Sequence, residues 1–307
     1  MKLTNPRSRL RTPGKPASQA RGFSLLELMV SATVLLVVVG TAVNYIGIVT
    51  QRSKAEQTKV DLTQEGREFV DEFERDVHQI GFPGCADFDT GGATACATAV
   101  NYNNANIAAG IVAISYTNII FEGDVNGDGA VESVEYRLLD SAGNYPPTGT
   151  CPCTLQRSQV PKVNSGLLAP AAATAYPQLT SWSQELQNVV NSGSPAANAA
   201  YGGGLNIAGN VLFGGGAITN TAYYAAVTTF KDFPVFSAYD QTGALVQLPL
   251  DNSTVTGQKN LTQIKTIRLT INLLASVSSA DAKTGARAVV TMVGDGRRNN
   301  MMPWETP

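Results

Sequence analysis

The hydrophobic pattern of the chain changes near residue 50. Residues 23–49 are almost uniformly apolar, and Glu27 is the only charged residue among them. A helix over this stretch would extend about 40 Å, which is enough to cross a bilayer with some tilt. An ionised side chain inside such a segment is costly and usually has a function. Glu27 is therefore the first candidate functional residue.

The apolar positions of residues 50–80 recur on one side of a helix, and charged residues occupy much of the remaining surface. The recurring positions are Leu62, Phe69, Phe73, Val77 and Ile80. The sequence Gly-Phe-Pro-Gly at 81–84 ends the helix. The two patterns together predict one continuous helix from about Phe23 to Ile80, roughly 87 Å long.

The remaining residues, 81–307, alternate between strand-like segments and turns. Strands are predicted within 107–121, 131–139, 223–230, 244–250, 264–274 and 286–293, with a turn at 281–285. The segment 264–274 is the clearest, because alternate residues are apolar and polar. The composition from about 140 to 220 is rich in Gly, Ala, Ser, Asn and Pro, and the run 201–216 predicts a long surface loop or insertion. These patterns predict an α+β fold.

The distribution of charge predicts a membrane orientation. The chain has a formal net charge of −2, which argues against a nucleic-acid binder, since such proteins usually present a basic face. The basic residues before the apolar segment are Lys2, Arg7, Arg9, Arg11, Lys15 and Arg21, and no acidic residue lies among them. A basic stretch directly before an apolar helix keeps the N-terminus in the cytoplasm and predicts export of the residues that come after the helix.

An ordinary secretory signal peptide is an alternative interpretation of this N-terminus. Leu28–Val39 would form its apolar core, and the small residues at 40–42 would precede cleavage, so that the mature chain would begin at Val43. Two features count against it: the acidic Glu27 between the basic and apolar stretches, and the helical pattern that continues to Ile80.

The sequence Gly22-Phe23-Ser24-Leu25-Leu26-Glu27 resembles the N-terminal signature of type IV pilins and type II secretion pseudopilins. This resemblance implies that a prepilin peptidase cleaves between Gly22 and Phe23 and methylates the new amine of Phe23. The helix would anchor the protein in the inner membrane until it packs with other pilin subunits in a filament. Glu27 would then pair with the amine of Phe23, typically of a neighbouring subunit.

The C-terminal end extends the resemblance. A strand hairpin followed by Gly-Arg-Arg-Asn at 296–299 is similar to the ends of PilW-type minor pilins and the larger J-type pseudopilins. The resemblance implies a pilin-like lollipop, with the long helix packed on a mainly antiparallel sheet. It divides the chain into a leader at 1–22, an apolar helix at 23–49, an amphipathic helix at 50–80 and an exported domain at 81–307, with an insertion at about 140–220.

The function expected from this resemblance is structural rather than enzymatic. The protein would be a minor pilin that takes part in type IV pilus assembly, first in the inner membrane with its C-terminal domain in the periplasm and then in the pilus. A type II secretion pseudopilin shares the same processing and is the nearest alternative. A membrane-tethered periplasmic binding module or carboxylate enzyme that does not polymerise is an alternative of another class.

The acidic segment 124–135 matches the pattern of a calcium-binding loop. The predicted ligands are Asp124, Asn126, Asp128, Ala130 through its carbonyl oxygen, Glu132 and Glu135. The flanking residues have strand character, so a β-hairpin turn is the alternative. In a strand Glu132 and Glu135 point to opposite faces, and calcium bound by Asp124, Asn126 and Asp128 alone is more compatible with that geometry.

The remaining candidate chemistry is limited to cysteines and one histidine. Cys85, Cys96, Cys151 and Cys153 all lie after the apolar segment, and an even number of exported cysteines predicts disulfides. Three pairings are possible; a local Cys85–Cys96 bond is favoured, with Cys151 and Cys153 joined in a small ring or left reduced. His78 is the only histidine, and its place in the amphipathic helix favours a solvated or interface residue over a catalytic one.

Overall fold

The computed structural model describes residues 24–84, 105–145, 152–162, 179, 181–191, 234–252, 254–275 and 288–300. The chain divides into two compact units, residues 1–50 and residues 51–307. Helix α1 spans Leu25–Gln79 and so contributes to both units. Its bounds confirm the single long helix that the two hydrophobic patterns predicted.

The second unit contains a ten-stranded sheet in which every pair of neighbouring strands is antiparallel. The strands are β1 (Ile111–Ile114), β2 (Asn118–Gly123), β3 (Glu132–Leu139), β4 (Cys153–Pro161), β5 (Trp182–Val189), β6 (Phe236–Tyr239), β7 (Leu245–Val246), β8 (Leu250–Asp251), β9 (Thr266–Leu274) and β10 (Val289–Arg297). The order across the sheet is β7-β6-β9-β5-β4-β3-β2-β1-β8, and β10 pairs with β9. The predicted α+β fold, a long helix followed by a mainly antiparallel sheet, is confirmed.

Strand β9 has more than two neighbours because β5 and β6 pair with different parts of it. The β5 contact is Val189 with Leu273, whereas β6 pairs along residues 266–269. The side chain of Asn191 fills the interval between them: its Nδ2 donates to the carbonyl oxygen of Thr270 at 2.7 Å, and its Oδ1 accepts from the backbone N–H of Asn272 at 2.8 Å. The side-chain amide of Asn191 thus bonds backbone groups of β9 that β5 does not reach.

The core lies between the last turns of α1 and one face of the sheet. Phe73 and Val77 are fully buried there, and Phe73 meets the Tyr136 ring edge-on with 5.5 Å between ring centroids. Phe69 and Ile80 are also buried, and Leu62 packs against the same cluster. The predicted apolar stripe is therefore confirmed. Its driving force is the removal of apolar surface from water, of roughly 25 cal/mol per Å².

A short helix, α2 (Val255–Gln263), precedes β9. Thr254 caps its first turn by accepting from the backbone N–H of Gly257 at 2.9 Å. At the other end the buried guanidinium of Arg298 donates to the carbonyl oxygens of Thr262 and Ile264, each at 3.2 Å. The cation neutralises the partial negative charge at the helix C-terminus, and it joins the end of β10 to α2.

Several local predictions change with the structure. Residues 107–121 contain β1 and most of β2, which confirms the strand structure predicted within this range, whereas residues 244–250 hold only the short β7 and the first residue of β8. Strands β4 and β5 lie within the Gly- and Ala-rich range 140–220, where the sequence predicted none. The predicted strand at 223–230, the loop at 201–216 and the turn at 281–285 lie outside the described residues.

Candidate assembly and docking site

The first half of α1 presents apolar side chains to its surroundings on every side. Large hydrophobic residues of this half are exposed, with Leu25 at 77% and Leu36 at 72% of their full accessibility. The best 18-residue window has a mean hydropathy of 2.2. A helix that is apolar all round needs an apolar environment, which for an exposed segment is a membrane or other protein. Within the described residues, α1 is the one helix long and apolar enough to cross a bilayer.

Hydroxyl groups in this segment are satisfied by the helix itself. Ser31 donates to the carbonyl oxygen of Glu27 at 2.6 Å, and Thr33 donates to that of Met29 at 2.8 Å. Thr41 and Thr50 make equivalent bonds to carbonyl oxygens three or four residues before them. These bonds leave no free hydroxyl donor at the four positions, so the segment suits a medium without water.

Glu27 differs from the hydroxyl residues because its carboxylate makes no hydrogen bond or ion pair with the described part of the chain. It lies in the first turn of α1 and is exposed. The predicted cleavage residue Gly22 and the predicted partner Phe23 lie outside the described residues. The pairing of Glu27 with the Phe23 amine therefore stays a prediction.

The second half of α1 is held on the sheet by a buried ionic contact. Asp76 is 1% exposed, and its Oδ2 accepts from Nη2 of Arg157 at 2.7 Å, from Nε of Arg157 at 3.0 Å and from the hydroxyl of Tyr136 at 2.6 Å. Tyr136 and Arg157 are paired across β3 and β4. Burial raises the pKa of the Tyr136 phenol, and the nearby Asp76 carboxylate raises it further, so this group stays a donor.

Asp76 is a functional residue that the hydrophobic pattern does not reveal, because its side chain is charged. The residue lies three positions after Phe73 and seven after Phe69, so it falls on the buried stripe of the helix. An acidic residue at such spacing is a usable sign of a buried partner, because an unpaired buried charge is costly. The sequence does not show where along the chain that partner lies.

Helix α1 also packs closely on β10 through glycines. A Cβ placed on Gly294 would lie 2.5 Å from Cγ1 of Val70, and one on Gly296 would lie 2.6 Å from Cβ of Val77. Beside them, Oε1 of Glu74 accepts from the backbone N–H of Asp295 at 3.1 Å. The absence of side chains at these two positions lets the helix lie directly on the strand.

The predicted calcium loop is the turn between β2 and β3. Oδ1 of Asp124 accepts from the backbone N–H groups of Gly127 at 2.7 Å and Asp128 at 3.1 Å, and Oδ2 accepts from that of Gly129 at 2.9 Å. Gly127 and Gly129 have φ values of 76° and 87°. The turn glycines and the aspartate bonds are what the hairpin alternative predicts.

The structure brings only part of the predicted ligand set together. Oε2 of Glu132 accepts from the backbone N–H of Val125 at 3.1 Å and so faces the turn, whereas Oε1 of Glu135 accepts from Nδ2 of Asn118 at 2.9 Å. Among the described residues no group of three or more Asp, Glu, His or Cys side chains is arranged to hold a metal ion. Glu132 and Glu135 thus contact different partners, and calcium binding, whether by all six residues or by Asp124, Asn126 and Asp128 alone, stays a prediction.

Cysteine and histidine have no catalytic setting in the described ranges. Cys153 is fully buried and forms a disulfide. The other three cysteines, Cys85, Cys96 and Cys151, all lie outside those ranges, so the predicted pairing of the cysteines is untested. His78 is exposed on α1, as the sequence predicted, and its backbone carbonyl accepts from Nδ2 of Asn300 at 3.4 Å.

Comparison with known proteins finds one similarity, at the N-terminus. Residues 17–43 match the family described as the prokaryotic N-terminal methylation motif. The matched range includes Gly22, Phe23 and Glu27 together with most of the apolar segment. No curated protein and no solved structure matches the chain. The motif shows that the N-terminal segment is of the prepilin type.

Proposed function

We propose, from the premise of a prepilin-type N-terminus, that this protein is a minor pilin: a low-copy subunit that takes part in type IV pilus assembly. The observation that carries the proposal is the methylation motif at residues 17–43 on a helix whose first half is apolar and exposed. Prepilin peptidase cuts after Gly22 and methylates Phe23. The apolar half of α1 then resides in the inner membrane and later packs against the same segment of other subunits.

The carboxylate of Glu27 supports assembly rather than simple anchoring. A plain membrane anchor gains nothing from an acidic residue in its apolar segment, and insertion of such a residue costs roughly 2.5–3.5 kcal/mol. Pairing with the new amine of Phe23 on a neighbouring subunit would offset that cost. Because the amine is created only by cleavage, processing and assembly become linked.

The exported domain supports a low copy number. A domain that contains a ten-stranded sheet in its described residues is large to place at every position of a repeating shaft. A place at the tip, or a role in starting assembly, avoids that crowding. Quantitative mass spectrometry of purified filaments tests this point: a ratio of one copy per shaft position would contradict the minor role.

A type II secretion pseudopilin is the second candidate, favoured by the same motif because processing is shared. Crosslinking of the full-length protein in cells separates the two. Adducts with the major pilus subunit support the first candidate, and adducts with secretion subunits support the second. The absence of adducts with any subunit of either kind supports a tethered module that does not polymerise.

The mature N-terminus is the primary test of processing. Mass spectrometry of the protein isolated from membranes should give a chain that begins at N-methylated Phe23, and Gly22→Ala should leave the leader attached. A mature chain that begins at Val43 would instead identify an ordinary signal peptide and overturn the proposal.

Glu27→Ala tests assembly separately from processing. We expect the variant to be cleaved and to reach the membrane, but to be lost from filaments, because the Phe23 amine has no acidic partner. Glu56→Ala is a matched control, since Glu56 is an exposed acidic residue on the same helix beyond the apolar segment. Equal incorporation of both variants would contradict the proposed ion pair.

A further inference from the structure

A groove crosses the face of β6, β9 and β10 that points away from α1. Alternate residues of β9 lie on the two faces, with Ile267, Leu269 and Ile271 in the core and Arg268, Thr270 and Asn272 in the groove. Pro234 precedes β6 and forms one wall, and Thr291 and Val293 of β10 form another. The lining combines apolar carbon with hydroxyl and amide groups, as small-molecule sites commonly do.

The side chain of Asn272 is buried at the base of the groove with an unmatched amide group. It is 1% exposed, and its Oδ1 accepts from the hydroxyl of Thr291 at 2.8 Å. Its Nδ2 has no hydrogen-bond partner in the described part of the chain. Thr291 can serve only one end of the amide. A buried polar group without a partner is unfavourable and unusual, so the position needs an explanation.

Hydrogen bonds on both sides hold the backbone of Asn272 in the strand, and the bond from Thr291 to Oδ1 holds its side-chain amide. The backbone N–H of Asn272 donates to Oδ1 of Asn191 at 2.8 Å, and its carbonyl oxygen accepts from the N–H of Val190 at 2.9 Å. On the other side, Asn272 is paired with Thr291 across β9 and β10. The unmatched amide is therefore fixed in orientation before any ligand arrives.

The charged residue in the groove is already neutralised. Nε of Arg268 donates to Oδ1 of Asp295 at 2.7 Å, and Nη2 donates to Oδ2 at 2.9 Å. The same guanidinium lies over the ring of Tyr239, 5.0 Å from its centroid. An anion would have to displace Asp295 from a two-point contact. The groove is thus suited to a neutral ligand that carries hydrogen-bonding groups.

A sugar ring has this combination of properties. Its hydroxyls both donate and accept, so they can match the unpaired end of the Asn272 amide and the hydroxyls of Ser237 and Thr270. Its C–H faces are apolar and can lie against Pro234 and Val293, and the side chain of Val293 is 54% exposed. A charged or wholly apolar molecule would satisfy only one of these two features.

We propose that this groove is a binding site for a neutral saccharide unit, with Asn272 as its central hydrogen-bonding residue. The site belongs to the exported domain and does not depend on cleavage, methylation or filament assembly. Because it is small and open on one side, we expect a single sugar ring to bind with a Kd on the order of 1 mM, and a longer chain more tightly.

The test is ligand-observed NMR titration of the full-length protein. The probes are the methyl glycosides of glucose, galactose, mannose and N-acetylglucosamine, which separate plain hexoses from acetamido sugars. The protein is kept in a zwitterionic detergent, because detergents with sugar head groups would compete. At least one probe should bind the wild type, and Asn272→Leu should weaken that binding by about tenfold or more.

Asn252→Leu is the matched control. Asn252 is buried and also has an Nδ2 without a partner in the described chain, but it does not line the groove. The Asn252→Leu variant should bind the probe with the same Kd as the wild type. Thr291→Val, at an exposed position, provides a second groove variant should Asn272→Leu fail to fold, and it should also weaken binding. No binding of any probe to the wild type, or unchanged binding in both groove variants, would overturn the proposal.

Discussion

Asp76 of α1 and Arg157 of β4 are 81 positions apart in the chain, and their side chains form a two-donor ion pair at 2.7 and 3.0 Å. The pair lies where the exposed first half of the helix has given way to the half that covers the sheet. Tyr136 completes the arrangement by donating to the same carboxylate oxygen. A charged contact thus fixes the position of the helix on the sheet, in addition to the apolar packing around it.

Removal of the Asp76 carboxylate should strongly destabilise the second unit. Asp76→Ala leaves the guanidinium of Arg157, which is only 12% exposed, without its main partner. Breaking a buried ion pair from one side costs about 3–5 kcal/mol. The measurement is the free energy of unfolding of the full-length chain in denaturant, followed by circular dichroism.

Glu72→Gln is the control for this prediction. Glu72 lies 3.6 Å from the same Arg157, but its side chain is 31% exposed. Solvent screens such a pair, and we expect a loss of about 1 kcal/mol or less. Equal losses in the two variants would show that burial of Asp76 does not matter to the contact.

Gly296 tests the close approach of α1 to β10. Gly296→Ala would place a methyl group 2.6 Å from Cβ of Val77, so helix and strand must separate. Overpacking of this kind costs about 1–3 kcal/mol. In the double variant with Val77→Ala two of the three crowding atoms of residue 77, Cγ1 and Cγ2, are removed while Cβ remains, so the cost of the double variant should be less than the sum of the two single changes. Strict additivity, measured by denaturant unfolding, would argue against the contact.

Glu135 should give the domain a pH-dependent stability. Burial raises the pKa of Glu135 above its ordinary value of 4.5, against the smaller lowering effects of Asn118 and Arg137. A raised pKa in the folded state means that ionisation opposes folding. The contribution of this group is therefore fully present below the ordinary pKa and is lost as the pH rises through the raised value.

Glu135→Gln removes that dependence while keeping the acceptor for Asn118. We expect the variant to exceed the wild type in free energy of unfolding at pH 7, and the difference to close as the pH falls below 4.5, the ordinary value. Unfolding curves of both proteins across this pH range provide the measurement. A difference that stays constant with pH would contradict the assignment to Glu135.

Asp124→Ala tests the turn between β2 and β3. The variant loses the acceptor for three backbone N–H groups, and a cost of about 1–3 kcal/mol is expected. The calcium prediction adds that the wild type melts at a higher temperature in calcium than in chelator, and that this difference disappears in Asp124→Ala.

Asp240→Ala separates hydrogen bonding from metal binding. Asp240 holds a comparable turn by accepting from the backbone N–H groups of Thr242 and Ala244. This control should lose stability but keep the calcium-dependent difference. Identical melting temperatures of the wild type in calcium and in chelator would contradict the calcium prediction. The role of Asp124 would then be to accept the hydrogen bonds of the turn.

Periodicity was sufficient for the helix and for part of the sheet. Helix α1 and strand β9 agree with their predictions because their hydrophobic patterns are long and regular, and β3 lies within its predicted range 131–139. Strand β4 was missed because its inward positions include Arg157, a charged residue that lies largely covered beside Asp76. Helix α2 was missed because it is short and contains Gly257, a weak helix former.

The candidate functional residues also differ in whether the sequence alone predicts them. The motif around Glu27 is a contiguous stretch, so the sequence alone predicts it. The groove at Asn272 is assembled from three strands and from the segment around Asn191. Residues so far apart in the chain form no contiguous sequence pattern that could predict it. The segment 124–135 is a third case, in which the residues match a spacing pattern but strand β3 directs Glu135 to Asn118 rather than to the turn.

The chain reaches its last described residue beside the place where α1 ends. Nδ2 of Asn300 donates to the carbonyl oxygen of Ile80 at 3.1 Å, 220 positions earlier, and the N–H of Asp295 binds Glu74 from 221 positions away. During synthesis the helix therefore emerges first and its covering strand last. The apolar face of the second half of α1 cannot be fully covered until the chain has been made as far as β10, so the core forms late.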